Sequence, residues 1–566
     1  MLLVHSSLKK KKIERPNDGA RAVGAQKQGA KDVVRLMNHE LVLPDVFGDH
    51  MVMQAGFELP IWGRAAPGSQ VEILLGQEKK TVTTRGNGDW EARFAPRDAS
   101  FEPTVLTVRS GGKSIEFRDV VVGEVWVCAG QSNMEWSVAD SNGGVGEIDA
   151  SQAQNLRLLN LVGGARGFSG SYGVQHLDRL EPSRYSQGAW EQASPNSVGR
   201  FSAVAWFFAV ELQKRLNVPV GVICQAVGGT PTEAWVPLDA LTSDPILRGL
   251  VSANWLDNTR LSQFCRERGE QNLVTAMQSG EPIPRDDLGP HHSFKPGFMW
   301  QAGVEPLVPY AIRGFVWYQG ESNAETPERA IEQSLLFPLL IKQWRDAWNQ
   351  GELPFLFVQL PALNRPDWPL FREVQRRVQK KVPNVGMAVT MDLGHRSNVH
   401  PTEKRSVARR LAGLALGSTY SMNEEALYAG PVVTSVKIEG RSVILDFANV
   451  GQGLEASDAQ ELRHFEISGP DGTFFSALAI IVGRQLVKVE SDKVMKPQAV
   501  RYGWEPFPEP ELNLTNSKGI PASPFSTLSD QELYEVETKP NPANMGRNKM
   551  TNVLPLISKD NGPELE

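Results

Sequence analysis

The stretch Gly123-Glu-Val-Trp-Val-Cys-Ala-Gly-Gln-Ser-Asn-Met134 decides how the chain around it folds. Its β-branched and aromatic residues predict a buried strand from Val125 to Cys128, and Gly130 predicts that the strand ends in a sharp turn. In open α/β sheets, ligands bind beyond the carboxyl ends of the strands. We therefore take Ser132, which such a turn lifts clear of the sheet, as the candidate nucleophile. A serine at this position can also cap the segment that follows it, so the other strand ends have to be considered.

Composition describes an ordinary globular chain. Its 566 residues are too many for one core and predict about three or four folding units. The net charge of −6 gives no support for binding to nucleic acid or to an anionic membrane, and no apolar run is long enough to span a bilayer. The three cysteines are predicted to be free, and they lack the spacing of a zinc site. We expect neither a metal nor an organic cofactor, and the oligomeric state cannot be read from the sequence.

The pattern of apolar residues changes several times along the chain. Short alternating strands with turn residues between them predict a β-sandwich, whereas strands alternating with helices predict a mostly parallel sheet. We accordingly predict an α/β catalytic domain flanked by β-sandwich-type domains, in five segments: a disordered tail over residues 1–38, a β-sandwich over 39–122, the α/β domain over 123–420, a β domain over 421–525 and an irregular tail over 526–566.

Candidate catalytic residues stand directly after four separate strands of the predicted α/β domain. They are Ser132, Gly228-Gly229, Asn323 and a loop with His400. Ester hydrolysis requires a serine that attacks the carbonyl and an imidazole that takes its proton and returns it to the leaving alcohol. The tetrahedral intermediate needs fixed hydrogen-bond donors, which a side-chain amide or backbone N–H groups can supply. Each of these residue types therefore has a role in acyl transfer.

The chain resembles the sialate O-acetylesterases, a family within the wider SGNH-hydrolase group. The resemblance covers roughly residues 41–520 and is carried by four motifs in order: Gly130-Gln-Ser-Asn-Met134, Gly228-Gly-Thr-Pro-Thr-Glu-Ala-Trp235, Trp317-Tyr-Gln-Gly-Glu-Ser-Asn323 and His400-Pro401-x-x-Lys404. It implies an SGNH-hydrolase-like, flavodoxin-like parallel sheet. Family members are usually exported, but no signal peptide is readable here, so the compartment stays open.

The resemblance also implies roles for individual residues. Ser132 is implied as the nucleophile, His400 as the base, and Gly229 and Asn323 as oxyanion donors, with Gly228 a close alternative to Gly229. Two further residues of the motifs, Gln131 and Glu321, are candidate substrate-binding residues, although Glu321 can equally make a structural hydrogen bond to its turn.

One position departs from the pattern of the wider group. Many SGNH enzymes carry an aspartate three residues before the histidine, where this chain has Ser397. His400 can then be oriented by a backbone carbonyl, which leaves a Ser132–His400 dyad, or by Asp392 at a strand end. The neighbouring His395 lacks the following Pro-x-x-Lys and is not expected to be the base.

These observations predict a carbohydrate O-acetylesterase that removes acetate from a sugar hydroxyl through an acetyl-enzyme. Sialic acid is not selected over other acetylated sugars, so an acetylxylan or other polysaccharide acetylesterase remains an alternative. A second alternative, of another class, is a carbohydrate-binding protein that has lost catalysis. The presence of Ser132, Asn323 and His400 favours the enzyme.

Overall fold

The computed structural model describes residues 40–151, 155–166, 168–422 and 428–538. The described residues divide into two compact units: the first contains 40–43, Ile61–Ala92 and Leu106–Glu116, and the second contains Pro44–Pro60, Arg93–Val105 and the described residues from Phe117 to Thr538. The predicted tail at 1–38 lies outside the described residues, and the predicted domain boundaries stay a prediction.

The region before the Ser132 turn is built of strands. They are β1 (Val52–Gln54), β2 (Leu59–Arg64), β3 (Gln70–Leu75), β4 (Glu78–Thr83), β5 (Asp89–Phe94), β6 (Ser100–Ser110) and β7 (Lys113–Gly130). In the first unit β3 pairs antiparallel with β4 and β6, and β2 pairs with β5. Every second residue of β3 is buried, which is the alternation expected of a strand with one face on a core.

The second unit contains a large mixed sheet around β7. Its further strands, with the short strands near them, are β8 (Leu156–Gly163), β9 (Ser186–Gln187), β10 (Trp190–Gln192), β11 (Val220–Ala226), β12 (Arg285–Asp286), β13 (Gly289–Pro290), β14 (Gly314–Tyr318), β15 (Phe355–Val358) and β16 (Val385–Ala388). The order is β10-β8-β11-β7-β14-β15-β16, and all neighbours are parallel except β10 and β8. β7, β11 and β14 are buried along their sheet segments, as expected for a sheet covered on both faces.

Helices connect these strands: α1 (Ser132–Glu135), α2 (Gly144–Ala150), α3 (Val174–Leu177), α4 (Pro182–Tyr185), α5 (Pro195–Gly199), α6 (Ala203–Leu216), α7 (Leu238–Ser243), α8 (Gln263–Ser279), α9 (Pro327–Trp348), α10 (Trp368–Lys381) and α11 (Lys404–Ser418). α6 packs against α11, and α9 packs against α10. The α/β class predicted from the sequence is confirmed, with a large mixed sheet and separate smaller β-sheets. No helix in the described part of the chain is both long enough and apolar enough to cross a membrane.

After α11 the chain returns to short strands: β17 (Val432–Glu439), β18 (Ser442–Ala448), β19 (Leu454–Ala456), β20 (Phe465–Ser468), β21 (Phe474–Ser476), β22 (Leu478–Ile481), β23 (Leu486–Glu490), β24 (Ala499–Tyr502), β25 (Leu514–Asn516) and β26 (Phe525–Ser526). A helix, α12 (Asp530–Thr538), follows where the sequence indicated an irregular tail. Ser529 and Glu532 cap it reciprocally, and Asp530 pairs with Arg377 of α10. The rest of the predicted tail lies outside the described residues.

Candidate active site

The turn after β7 places Ser132 at the carboxyl end of the central strand. Gly130 has a φ of +143°, and a Cβ at this position would lie 2.1 Å from the carbonyl oxygen of Tyr318 on β14. Glycine is therefore required at this position, where a side chain on β7 would clash with the backbone of β14. The N–H of Gln131 donates to the same carbonyl at 3.0 Å, and the chain then turns into α1, whose first residue is Ser132.

The structure brings the predicted nucleophile and the predicted base together. His400 lies in the loop between β16 and α11, and its Nε2 is 2.8 Å from the Ser132 Oγ although 268 residues separate them in sequence. This is the hydrogen-bond distance that proton transfer from a serine to an imidazole requires.

An aromatic contact and a backbone hydrogen bond, rather than a carboxylate, orient His400. The imidazole stacks on Trp136 at 5.2 Å between ring centroids, and the backbone N–H of His400 donates to the Asn398 Oδ1 at 2.9 Å. Asp392 instead accepts two hydrogen bonds from Arg410, at 2.7 and 2.6 Å. No carboxylate in the described residues forms a hydrogen bond or ion pair with His400, and Ser397 is exposed.

A buried polar cluster joins the serine turn to the histidine loop. The Asn133 Nδ2 donates to the carbonyl oxygen of Val399 at 2.9 Å and to the Glu321 Oε1 at 2.5 Å, while the Lys404 Nζ donates to the Asn133 Oδ1. Asn133, Glu321 and Lys404 are all buried. Because Val399 immediately precedes His400, this cluster fixes the backbone that carries the base relative to the backbone that carries the nucleophile.

Glu321 is buried against the turn that carries Ser132. It is 4% exposed, and its Oε1 accepts a hydrogen bond from Asn133, which favours a structural role; substrate binding by Glu321 stays a prediction. Gln131 is also buried, and its Oε1 accepts from the N–H groups of Gly320 and Ser322 at 3.4 Å. The side-chain oxygen of Gln131 therefore ties the turn after β7 to the turn after β14.

The electrostatics of the cluster keep the base neutral. Burial, together with the nearby cations Lys404 and Arg365, lowers the pKa of His400 to about 4. Burial also lowers the pKa of Lys404 to about 7, with Glu321 acting in the opposite direction, and burial raises the pKa of Glu321. A neutral imidazole at physiological pH is the form that can accept the serine proton.

We expect kcat/KM for ester hydrolysis to fall as the pH drops through about 4, because protonation of His400 removes the base. Lys404→Met removes a positive charge that opposes this protonation, so the acidic limb should move to higher pH. Asp392→Asn is the matched control and should leave the limb in place, because Asp392 binds Arg410. Initial rates across a pH series test this, and a large downward shift in Asp392→Asn would show that Asp392 supports His400 after all.

Two backbone N–H groups are available to a negative oxygen next to Ser132. The N–H groups of Ser132 and Gly229 form no hydrogen bond within the described residues, whereas the N–H of Gly228 donates to the Glu135 Oε2 at 2.6 Å. Arg166 holds that carboxylate from its other side at 2.7 Å. Of the two glycines, Gly229 is therefore the one whose N–H is free to bind an oxyanion. Its φ is +79°, a conformation that favours glycine.

Asn323 lies in a buried network at the end of β14. Its Nδ2 donates to the Glu233 Oε2 at 2.9 Å, and its Oδ1 accepts from the Thr232 N–H at 2.9 Å and the Gln319 Nε2 at 2.6 Å. The structure shows no contact between Asn323 and Ser132, so one amide hydrogen is engaged by Glu233 and only the second remains for an oxyanion. The predicted donor role of Asn323 stays a prediction.

Sequence reasoning did not assign roles to Asn133, Lys404, Glu135 or Trp136. The sequence contained a pointer to two of these residues, since Asn133 and Lys404 stand in two of the quoted motifs. The letters of a motif do not say which distant residue a side chain contacts, however, and Asn133 and Lys404 are 271 residues apart.

Known proteins resemble this chain in sequence and in structure. The family model of carbohydrate esterases described as sialic acid-specific acetylesterases matches residues 289–417. Sialate O-acetylesterase of Rattus norvegicus is 27% identical over 527 residues, covering 82% of this chain and 90% of the rat protein. The Homo sapiens sialate O-acetylesterase is 26% identical over 516 residues, covering 83% of this chain and 89% of the human protein.

A solved structure extends the similarity to the fold. The crystal structure of a carbohydrate acetylesterase from Xanthomonas citri matches with a TM-score of 0.70 and 30% identity, covering 87% of this chain and all of that one. The resemblance seen in the sequence is thus confirmed by relatives that match along most of their own length. The chain belongs to the sialate O-acetylesterase family of carbohydrate esterases and is a carboxylic ester hydrolase.

Proposed function

We propose that the protein hydrolyses O-acetyl esters of carbohydrates with Ser132 as the nucleophile and His400 as the general base. The observation that carries this proposal is the 2.8 Å contact between the Ser132 Oγ and the His400 Nε2 at the carboxyl end of the central strand. The relatives named above are sialate O-acetylesterases, which supports an acetylated sugar as the substrate.

In this mechanism the Ser132 Oγ attacks the acetyl carbonyl carbon while its proton passes to the His400 Nε2. The N–H groups of Ser132 and Gly229, with Asn323 as a further donor, stabilise the negative oxygen of the tetrahedral intermediate. When that intermediate collapses, the bond between the acetyl carbon and the sugar oxygen breaks, and the imidazolium gives its proton to that oxygen, which leaves as a hydroxyl. Water, deprotonated by His400, then attacks the acetyl-enzyme and releases acetate and the free serine.

The catalytic domain is proposed to be of the SGNH-hydrolase type, with a flavodoxin-like sheet. Support comes from the strand order: without the outer strands β8 and β10, the sheet reads β11-β7-β14-β15-β16. In order of appearance this is 2-1-3-4-5, the doubly wound order of flavodoxin-like sheets, whose ligand site lies where the order reverses. β7, which delivers Ser132, lies at this reversal.

Release of acetate from a defined panel tests the activity. O-acetylated sialic acids, acetylated xylan oligomers and p-nitrophenyl acetate should be compared at equal enzyme concentration. Acetate from the sialic acids supports the proposal, whereas release from xylan oligomers alone would reassign the substrate to a neutral polysaccharide. Failure to turn over any ester would favour the carbohydrate-binding alternative.

Asn323→Ala should lower kcat by about 10²–10³-fold with little change in KM if its second amide hydrogen stabilises the oxyanion. Thr232→Val is the matched control, because it disturbs the same buried network and leaves the amide in place. Steady-state kinetics and thermal unfolding of both variants test the role. Equal losses of activity in the two variants would mean that Asn323 is structural, and a raised KM at unchanged kcat would make it a substrate-binding residue.

A further inference from the structure

Arg365 lies beside the active site and has no hydrogen-bond or ion-pair partner for its side chain in the described part of the chain. It lies in the loop between β15 and α10, stacks on Trp368 at 5.3 Å, and is only partly exposed. Within the described residues its side chain forms no hydrogen bond and no ion pair. A partly desolvated cation whose donors are unused is unfavourable, so such a residue is suited to bind an anion.

Other arginines around the site are already engaged. Arg166 pairs with Glu135, Arg410 with Asp392, Arg396 with Glu509, and Arg329 with Glu233 and Glu332. All of these arginines carry a positive charge, but Arg365 differs from the others in that no carboxylate among the described residues pairs with it.

The fold puts Arg365 next to the reacting groups. β15 pairs with β14 on one side and with β16 on the other, so the loop after β15 lies between the turn that carries Glu321 and the loop that carries His400. Two backbone hydrogen bonds fix this loop: the Leu363 N–H donates to the Pro506 carbonyl at 3.1 Å, and the Asn364 N–H to the Arg396 carbonyl at 3.1 Å.

The charges that act on Arg365 come from elements on several sides. Glu321 and Glu325 are the carboxylates near it, and His400 is close enough that Arg365 contributes to lowering the pKa of that imidazole. Lys404 offsets the charge of Glu321. Neither carboxylate forms an ion pair with Arg365: Glu321 binds Asn133, and Glu325 accepts the backbone N–H groups of Gln263 and Phe264.

We propose that Arg365 binds a carboxylate of the sugar that carries the acetyl group, so that the enzyme prefers acidic acetylated sugars to neutral ones. The planar guanidinium matches a carboxylate with two parallel hydrogen bonds, and its N–H donors are not used by any group among the described residues. This inference rests on the proposed function and assigns the residue that selects among its substrates.

The test compares one sugar in two charge states. The substrates are an O-acetylated sialic acid and the methyl ester of its carboxylate, and acetate release is measured at a pH well above the acidic limb set by His400. The variants are Arg365→Gln and Arg365→Lys. Arg396→Gln is the matched control, because it removes an exposed arginine that is paired with Glu509 and packs beside the same loop.

For the wild type we expect a higher kcat/KM with the free carboxylate than with the methyl ester. Arg365→Gln should lower kcat/KM for the acid by about ten- to hundredfold, chiefly through KM, and should lower the value for the ester by less, so that the preference is lost. Arg365→Lys should recover part of the preference, and Arg396→Gln should retain it.

Two results would overturn the inference: a wild type with no preference for the acid, or an equal loss for both substrates in Arg365→Gln. The first needs no variant, so the inference can be tested even if Arg365→Gln does not fold. Failure of the proposed function is seen separately, because the wild type would then release no acetate from either substrate, or Ser132→Ala would continue to release it from both.

Discussion

Ser132→Ala is expected to lower kcat/KM for ester hydrolysis by up to about 10⁶-fold, the loss found when a serine hydrolase is deprived of its nucleophile. In the proposed mechanism the Oγ of Ser132 is the protein atom that forms a bond to the acetyl carbon, and the methyl group of alanine cannot replace it. The oxyanion donors and the substrate contacts remain in the variant and account for its residual rate. Turnover of p-nitrophenyl acetate and release of acetate from an acetylated sugar measure the loss.

Ser397→Ala is the matched control for this variant. Ser397 is exposed and stands where many related hydrolases have an aspartate, so its replacement should leave turnover close to that of the wild type. Circular dichroism and thermal unfolding of both variants show whether the fold is intact. A folded Ser132→Ala variant that keeps about a tenth of wild-type activity would exclude Ser132 as the nucleophile.

His400→Ala should cause a loss of comparable size, since the hydroxyl of Ser132 is a poor nucleophile unless a base removes its proton. The 2.8 Å contact makes His400 the group that does so. Residues that act as one unit do not have additive effects, so the double variant Ser132→Ala with His400→Ala should be about as inactive as either single variant.

His395→Ala is the control for the histidine. His395 is exposed, and its Nδ1 accepts the backbone N–H groups of Ser397 and Asn398, so its loss should disturb the loop only mildly. A defect in His395→Ala as severe as that in His400→Ala would assign the base to the wrong histidine. Steady-state rates of the wild type, His400→Ala, His395→Ala and the double variant, measured with one substrate, show which histidine is the base.

Local pattern predicted much of the fold. The sequence Ala203–Leu216 is apolar along its first half and forms the buried helix α6, and the predicted strand Val125–Cys128 lies inside the buried half of β7. Both follow from apolar runs whose length and flanking glycine or polar residues distinguish strand from helix. The rule that parallel strands deliver their carboxyl ends to one edge of a sheet grouped Ser132 with the loop of His400, and the family resemblance implied the roles of the two residues.

The contacts within the site could not be predicted in the same way. Whether Asp392 faces His400 or Arg410 depends on side-chain packing between the loop and α11, which no local pattern encodes. The sequence leaves Glu321 open between the substrate site and a structural hydrogen bond, because no local pattern shows that Asn133 and the charge of Lys404 lie beside it and allow its burial. An irregular tail is predicted where the helix α12 forms, although Ser529 and Glu532 have the spacing of a capping box.

The distance in sequence between Ser132 and His400 has a consequence for refolding. Loop-closure entropy makes contacts between remote parts of a chain slow to form, so the dyad can assemble only after β7, β14, β15 and β16 have found their neighbours. Helical content will therefore recover before hydrolysis does. A stoichiometric acylating reagent then reacts only with molecules whose sheet is fully assembled. The amount of product released in the initial burst therefore measures the native protein in a preparation.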